Sequence, residues 1–132
     1  MAIKISGTTV IDDSKNLLNV RINPRISTTA SVTSPLVWNS DNFDEYVITA
    51  QAGALTFNAD AGTPVHGQKM IFRIKDNGTA RALTWTSVGA GSFNSYGSFL
   101  PTTTTVSKTT YFGFIYNSTD SKWDAVAMVT EA

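Results

Sequence analysis

The stretch Lys69-Met70-Ile71-Phe72-Arg73-Ile74-Lys75-Asp76-Asn77-Gly78 decides the reading of the chain. Met70, Phe72 and Ile74 share one side of a two-residue alternation, and Lys69, Arg73 and Lys75 share the other. Successive side chains of a strand point to opposite faces, so this pattern is that of a half-buried β-strand. Asp76-Asn77-Gly78 then offers residues that tolerate positive φ, the chemistry of a tight turn. Leu83-Thr84-Trp85-Thr86 follows as a return strand with Leu83 and Trp85 on one side.

The same grammar extends in both directions. Thr110 to Tyr116 and Trp123 to Val129 alternate in the same way around the polar connection Asn117-Ser118-Thr119-Asp120-Ser121-Lys122, which predicts an antiparallel hairpin. Upstream, Glu45 to Thr49 and Ala54 to Asn58 predict a further strand pair around Gln51-Ala52-Gly53. No window carries a sustained helical stripe, and Thr, Ser, Asn and Gly dominate the non-apolar positions. The expected fold is all-β, an antiparallel β-sandwich or jelly-roll-like domain over residues 41–132.

Residues 1–40 are expected to form an extended N-terminal arm. Ile3-Lys4-Ile5, Thr9-Val10-Ile11 and Leu17 to Ile22 have strand character, but Pro24, Pro35 and the run Ser27-Thr28-Thr29-Ala30-Ser31 interrupt a compact pattern. Such an arm would attach to a neighbouring chain or another protein by strand addition, with Ile3, Ile5, Val10, Ile11, Leu17, Leu18, Val20 and Ile22 bearing the contact. Alternatively it completes the sheet of its own domain. Ser87 to Ser98, rich in glycine, holds Phe93 and Tyr96 in a long loop. With Trp85 and Phe99 these rings either form a surface that binds carbohydrate or pack at one end of the fold.

Composition narrows the function classes. The chain of 132 residues is long enough for one core, and it contains no cysteine, so disulfides, thiolate metal sites and a cysteine nucleophile are excluded. Ten Lys and Arg balance ten Asp and Glu, and they are scattered along the chain. A nucleic-acid partner is therefore not expected, because counterion release needs basic residues gathered on one face. No segment approaches the ~20 apolar residues of a membrane span, and the opening residues carry no cleavage signature. Beginning with Met1 and closing on Thr130-Glu131-Ala132, the sequence is expected to be a complete small product made in a host cytoplasm.

No catalytic, cofactor or metal site is expected. His66 stands alone in a turn-like stretch without a triad partner nearby in sequence. Asp12, Asp13, Asp41, Asp44, Glu45, Asp60 and Asp76 contain the makings of an acid/base pair, yet each lies where an acidic residue serves the backbone of a turn. Gly89-x-Gly91 lacks the rest of a phosphate loop, and Asp76-Asn77-Gly78 lacks the ligands of a calcium loop.

Two segments resemble the surface proteins of tailed-phage virions, namely head decoration (cement) proteins and tail-fibre-like β modules. The first is Ile3-Lys4-Ile5-Ser6-Gly7-Thr8-Thr9-Val10-Ile11-Asp12 with Asn16-Leu17-Leu18-Asn19-Val20. The second spans most of residues 38–129, from Trp38-Asn39-Ser40-Asp41-Asn42-Phe43-Asp44 through Phe72 to Trp85 and on to the strand Lys108 to Tyr111 and the hairpin Tyr116 to Asp124. The resemblance implies a non-enzymatic virion structural protein, a homotrimer without a cofactor. Its partners would be the major capsid protein or other virion proteins, with host-surface carbohydrate as a further candidate. A capsid decoration role that clamps neighbouring capsid subunits is the leading expectation; a tail-fibre, collar or head-fibre component is the alternative.

Overall fold

The computed structural model describes residues 3–5, 8–11 and 23–132. The described chain is all-β, with one short 3-10 turn at Tyr96–Ser98. At the start, β1 (Ile3–Ile5) pairs antiparallel with β2 (Thr8–Ile11). The strands that follow are β3 (Ile26–Thr29), β4 (Glu45–Gln51), β5 (Leu55–Phe57), β6 (Lys69–Asp76) and β7 (Leu83–Trp85). Then come β8 (Ser92–Asn94), β9 (Thr109–Asn117) and β10 (Lys122–Thr130). A six-stranded sheet runs in the order β3-β4-β6-β9-β10-β8, and a two-stranded sheet joins β5 to β7.

The pairing departs from an antiparallel sandwich. β3 pairs parallel with β4, β4 parallel with β6, and β5 parallel with β7. Leu36 bridges Phe57, also in parallel. The chain therefore winds: β3 and the Leu36 segment make a first turn, β4 and β5 a second, β6 and β7 a third. Each turn lays one segment in the large sheet and one in the small layer. The strand pairs expected around Gln51-Ala52-Gly53 and after Asn77-Gly78 are corners between layers instead of hairpins.

Side chains at the corners explain why. Gln51 is fully buried, accepts from Ser31 Oγ and Val32 N, and donates to the carbonyls of Val32 and Gly53. A buried carboxamide needs its partners, and these hold one turn of chain against the previous one. Asp44 accepts from the Arg25 backbone at 2.8 Å, and Thr63 N donates to Asp41 at 3.0 Å, with partners 19 and 22 residues apart. The spacing is that of one full turn.

The winding ends after β7. Leu83 N donates to Thr102 O at 2.8 Å and Thr104 N to Arg81 O at 2.9 Å, so the returning segment lies antiparallel to β7. β9 then pairs antiparallel with β6, and the expected β9–β10 hairpin forms, with Trp123 opposite Tyr116. A bulge between Ala125 and Ala127 sits opposite Gly113. A Cβ at Gly113 would come within 3.3 Å of the Ala127 Cβ, so glycine leaves room for the bulged strand.

The core lies between the two layers. Ile48, Met70, Phe72, Ile74, Phe112, Phe114 and Trp123 descend from the large sheet and meet Leu36, Trp38, Leu55, Phe57 and Leu83. Phe57 and Trp85 stack with centroids 4.0 Å apart and planes 5° from parallel. Residues 23–40 are thus built into the domain, with β3 in its sheet and Leu36 and Trp38 in its core. The boundary expected at residue 40 does not hold for them, because the apolar residues that flank Pro35 fill the first turn of the winding.

Acid should weaken this structure. Asp76 is buried; desolvation raises its pKa, but hydrogen bonds from Thr104 Oγ1, Ser107 N and Gly78 N, helped by Arg81, outweigh that and hold it below the ordinary value. The Arg25 guanidinium likewise lowers Asp44. A carboxylate depressed in the fold stabilises it above the unfolded pKa of about 3.9, and that stability is lost as pH falls through the folded value. The thermal midpoint is expected to hold from neutrality to about pH 5 and to drop on further acidification. In Asp76→Ala the acid limb should be shallower, as followed by circular dichroism.

Candidate functional site

Two surfaces stand out, one on each side of the fold. On the outer face of the large sheet, Ile71 of β6, Tyr111 and Ile115 of β9, and Val126 and Val129 of β10 are exposed at 41%, 43%, 37%, 54% and 65%. Gly113 presents no side chain between them, and a groove of about 250 Å³ opens there between Ile71, Ile115 and Val126. Alternation on β6 and β9 would ordinarily place polar residues at these positions. Toward β4 the same face becomes polar: Arg73 lies 3.7 Å from Glu45 and its guanidinium sits 5.7 Å from the Tyr111 ring centre.

The second surface is an open groove of about 420 Å³ beside β7, lined on its far side by Asn94, Ser95, Leu100 and Thr102. Leu83, Trp85, Phe93 and Leu100 form its apolar wall, with Thr84, Asn94, Ser95, Thr102 and Lys122 at its polar rim. Trp85 is locked by its stack on Phe57 and by donation from Nε1 to Pro101 O at 3.0 Å. Its orientation is therefore fixed within the fold. Gly91 makes the turn into β8: its φ is +72°, and a Cβ there would lie 2.8 Å from the Asp60 carbonyl oxygen.

The aromatic residues expected to form a binding loop separate into two groups. Phe93 is buried at 1% exposure and packs edge-on against Trp85, while Trp85 and Phe99 are partly buried against the core. Tyr96 alone is open to solvent, at 60%, and its hydroxyl donates to Asp124 at 3.3 Å. Asp124 also accepts from Asn94 and Asn117. The rings are plain in the sequence but not their burial, nor that Thr84, Asn94, Thr102 and Lys122 line one groove.

Of the expected attachment residues, Ile3 and Ile5 lie in β1 and Val10 and Ile11 in β2. Leu17, Leu18, Val20 and Ile22 fall outside the described residues.

The suspected acid/base carboxylates are tied to structural partners. Asp41 holds Thr63, Asp44 holds Arg25, and Glu45 faces Arg73. Asp60 accepts from Ser40 N, Ser40 Oγ, Gly62 N and Trp123 Nε1. Asp12 and Asp13 lie outside the described residues. His66 Nδ1 accepts from Ser118 N at 3.2 Å in an exposed setting. Among the described residues no three His, Asp or Glu side chains gather as metal ligands, and no helix is long and apolar enough to cross a membrane. No family model, curated protein or solved structure matches this chain.

Proposed function

We propose that this chain is a structural protein of a tailed-phage virion, a non-enzymatic homotrimer that decorates the capsid and clamps neighbouring capsid subunits. The observation that carries the reading is the apolar outer face of the large sheet, where Ile71, Tyr111, Ile115, Val126 and Val129 lie in the open. Contiguous exposed apolar surface marks contact with other proteins. Zero net charge favours association in the same direction. The phage-like phrasing of residues 3–20 and 38–129 supplies the virion context.

In this reading the winding is that of a short β-solenoid closed by the β9–β10 hairpin, a rigid block that presents one flat face. Three copies on one axis would convert weak single attachments into firm ones through effective concentration. The attachment would be made through the N-terminal strands by strand addition to capsid subunits. Particles purified on a density gradient and analysed by mass spectrometry test the proposal. The chain is expected to travel with intact particles in a fixed ratio to the major capsid protein; recovery only from the soluble lysate would overturn it.

A further inference from the structure

We propose that the outer face of the large sheet docks an extended segment of a partner protein, one that presents an aliphatic side chain and, a few residues along, a carboxylate. The inference rests on the reading of this face as the protein-contact surface, and it states what the partner must offer.

Two depressions lie along β6 on this face. The first is the apolar groove, where Ile71 stands opposite Gly113 and the missing side chain leaves a notch between Ile71, Ile115 and Val126. Apart from Lys69 its lining is apolar, so it suits one aliphatic side chain. The second, of about 200 Å³, lies farther along the same strand among Val47, Thr49, Arg73, Lys75, Thr109 and Tyr111. Strand register builds it: Arg73 is flanked by Val47 and Tyr111, and Lys75 stands opposite Thr109. Val47, at 2% exposure, is the floor, and the longer side chains rise around it.

The second depression is suited to an anionic oxygen. Arg73 and Lys75 are two residues apart on one face, which sets their Cα atoms about 7 Å apart. The partners of Arg73 are distant: Nη1 reaches the Tyr111 hydroxyl at 3.4 Å and Nε lies 3.7 Å from Glu45. Arg73 Nη2 and Lys75 Nζ have no partner on this face among the described residues. The Tyr111 hydroxyl accepts from Arg73 and keeps its own proton to give. Glu131, the acid at the margin, is turned to Thr109 N, from which it accepts at 3.0 Å. A carboxylate between the two cations would therefore gain charge-assisted hydrogen bonds that the fold leaves unmade.

Charge also selects the occupant. The outward charges of β6 are Lys69, Arg73 and Lys75, all positive. A second copy laid against this face would bring a second row of cations to one interface, and like charges across an interface are unfavourable. An acidic segment meets the row with opposite sign while its aliphatic side chain enters the groove. The Arg73 and Lys75 rows lie two and four residues beyond the Ile71 row, about 7 to 13 Å along an extended chain, and this fixes the spacing of the two groups.

The test is selection of a random library of displayed linear peptides against the full chain, followed by synthesis of the strongest sequence and measurement of its affinity by fluorescence anisotropy. Selected peptides are expected to share an aliphatic residue with Asp or Glu at that spacing. The double variant Arg73→Gln, Lys75→Gln is expected to bind about fivefold more weakly, the scale of two exposed ion pairs. Ile115→Thr, which removes one wall of the groove, should also weaken binding. All three substitutions fall on the solvent side of the sheet, and circular dichroism checks that the fold is kept. Peptides without the shared pattern, or undiminished affinity in either variant, would overturn the proposal. Such a failure in a chain that still purifies with particles would leave the virion reading standing; patterned peptides with a chain absent from particles would do the reverse.

Discussion

Phe72→Ala is expected to cost about 3–5 kcal/mol of folding stability, the usual range for deleting a large aromatic side chain from a packed core. Phe72 is fully buried on β6, the strand that joins the wound half of the large sheet to the antiparallel half. Its ring meets Trp38 edge-on at 5.1 Å, Phe57 at 5.3 Å and Phe114 at 5.9 Å. These rings come from the first turn, the second turn and the hairpin, so one truncation opens a cavity at the junction of all three. A domain whose whole stability is about 5–15 kcal/mol would lose a large part of it. Urea denaturation should show a lower midpoint with the slope unchanged. Lys69→Ala, at an exposed position of the same strand, should stay within about 0.5 kcal/mol of the parent.

Asp60→Ala is expected to be comparably damaging by a different route. The carboxylate receives Ser40 N at 2.9 Å, Ser40 Oγ at 2.6 Å, Gly62 N at 2.9 Å and Trp123 Nε1 at 3.2 Å. Ser40 and Trp123 are fully buried, so alanine would leave their donors with neither protein partner nor water. Each buried donor left without a partner costs about 1–3 kcal/mol, and the group removed here is charged. A total on the order of 3–5 kcal/mol follows. The residue ties together the first turn, the second turn and β10, and thermal unfolding should report its loss directly. Asp60→Asn should recover only part of it, since the new amide turns N–H groups toward existing donors.

What could be read from sequence was what local pattern encodes. The alternation of Lys69 to Asp76 and the two strands around Asn117 to Lys122 stand in the structure as β6, β9 and β10. Parallel pairing was not legible, because the partner of Tyr46 is Phe72 and that of Thr56 is Thr84, and nothing local to either member announces the other. Gln51-Ala52-Gly53 reads as a hairpin turn by composition; the buried Gln51 carboxamide makes it a corner, through partners some twenty residues upstream. β3 escaped notice because Ile26–Thr29 is a mostly exposed edge strand, paired on one side to β4, with no apolar alternation to mark it.

The candidate sites follow the same division. Trp85, Phe93, Tyr96 and Phe99 were visible as rings near one another in sequence, but not that Phe93 is buried, Trp85 and Phe99 partly buried and Tyr96 exposed, which depends on how the chain packs in three dimensions. The apolar outer face was not read from the sequence, although Ile71, Ile115 and Val126 occupy solvent-side positions of strands whose other face is the core. A strand read alone cannot distinguish such a face from a second core. In three dimensions it is a surface because no layer among the described residues covers that groove.

The proposed trimeric decoration of the capsid is open to cryo-electron microscopy of purified particles. Threefold density that fits the wound β domain is expected, repeated over the capsid lattice, with its N-terminal strands against capsid subunits. A bare capsid, or density for this chain confined to the tail or collar, would contradict it.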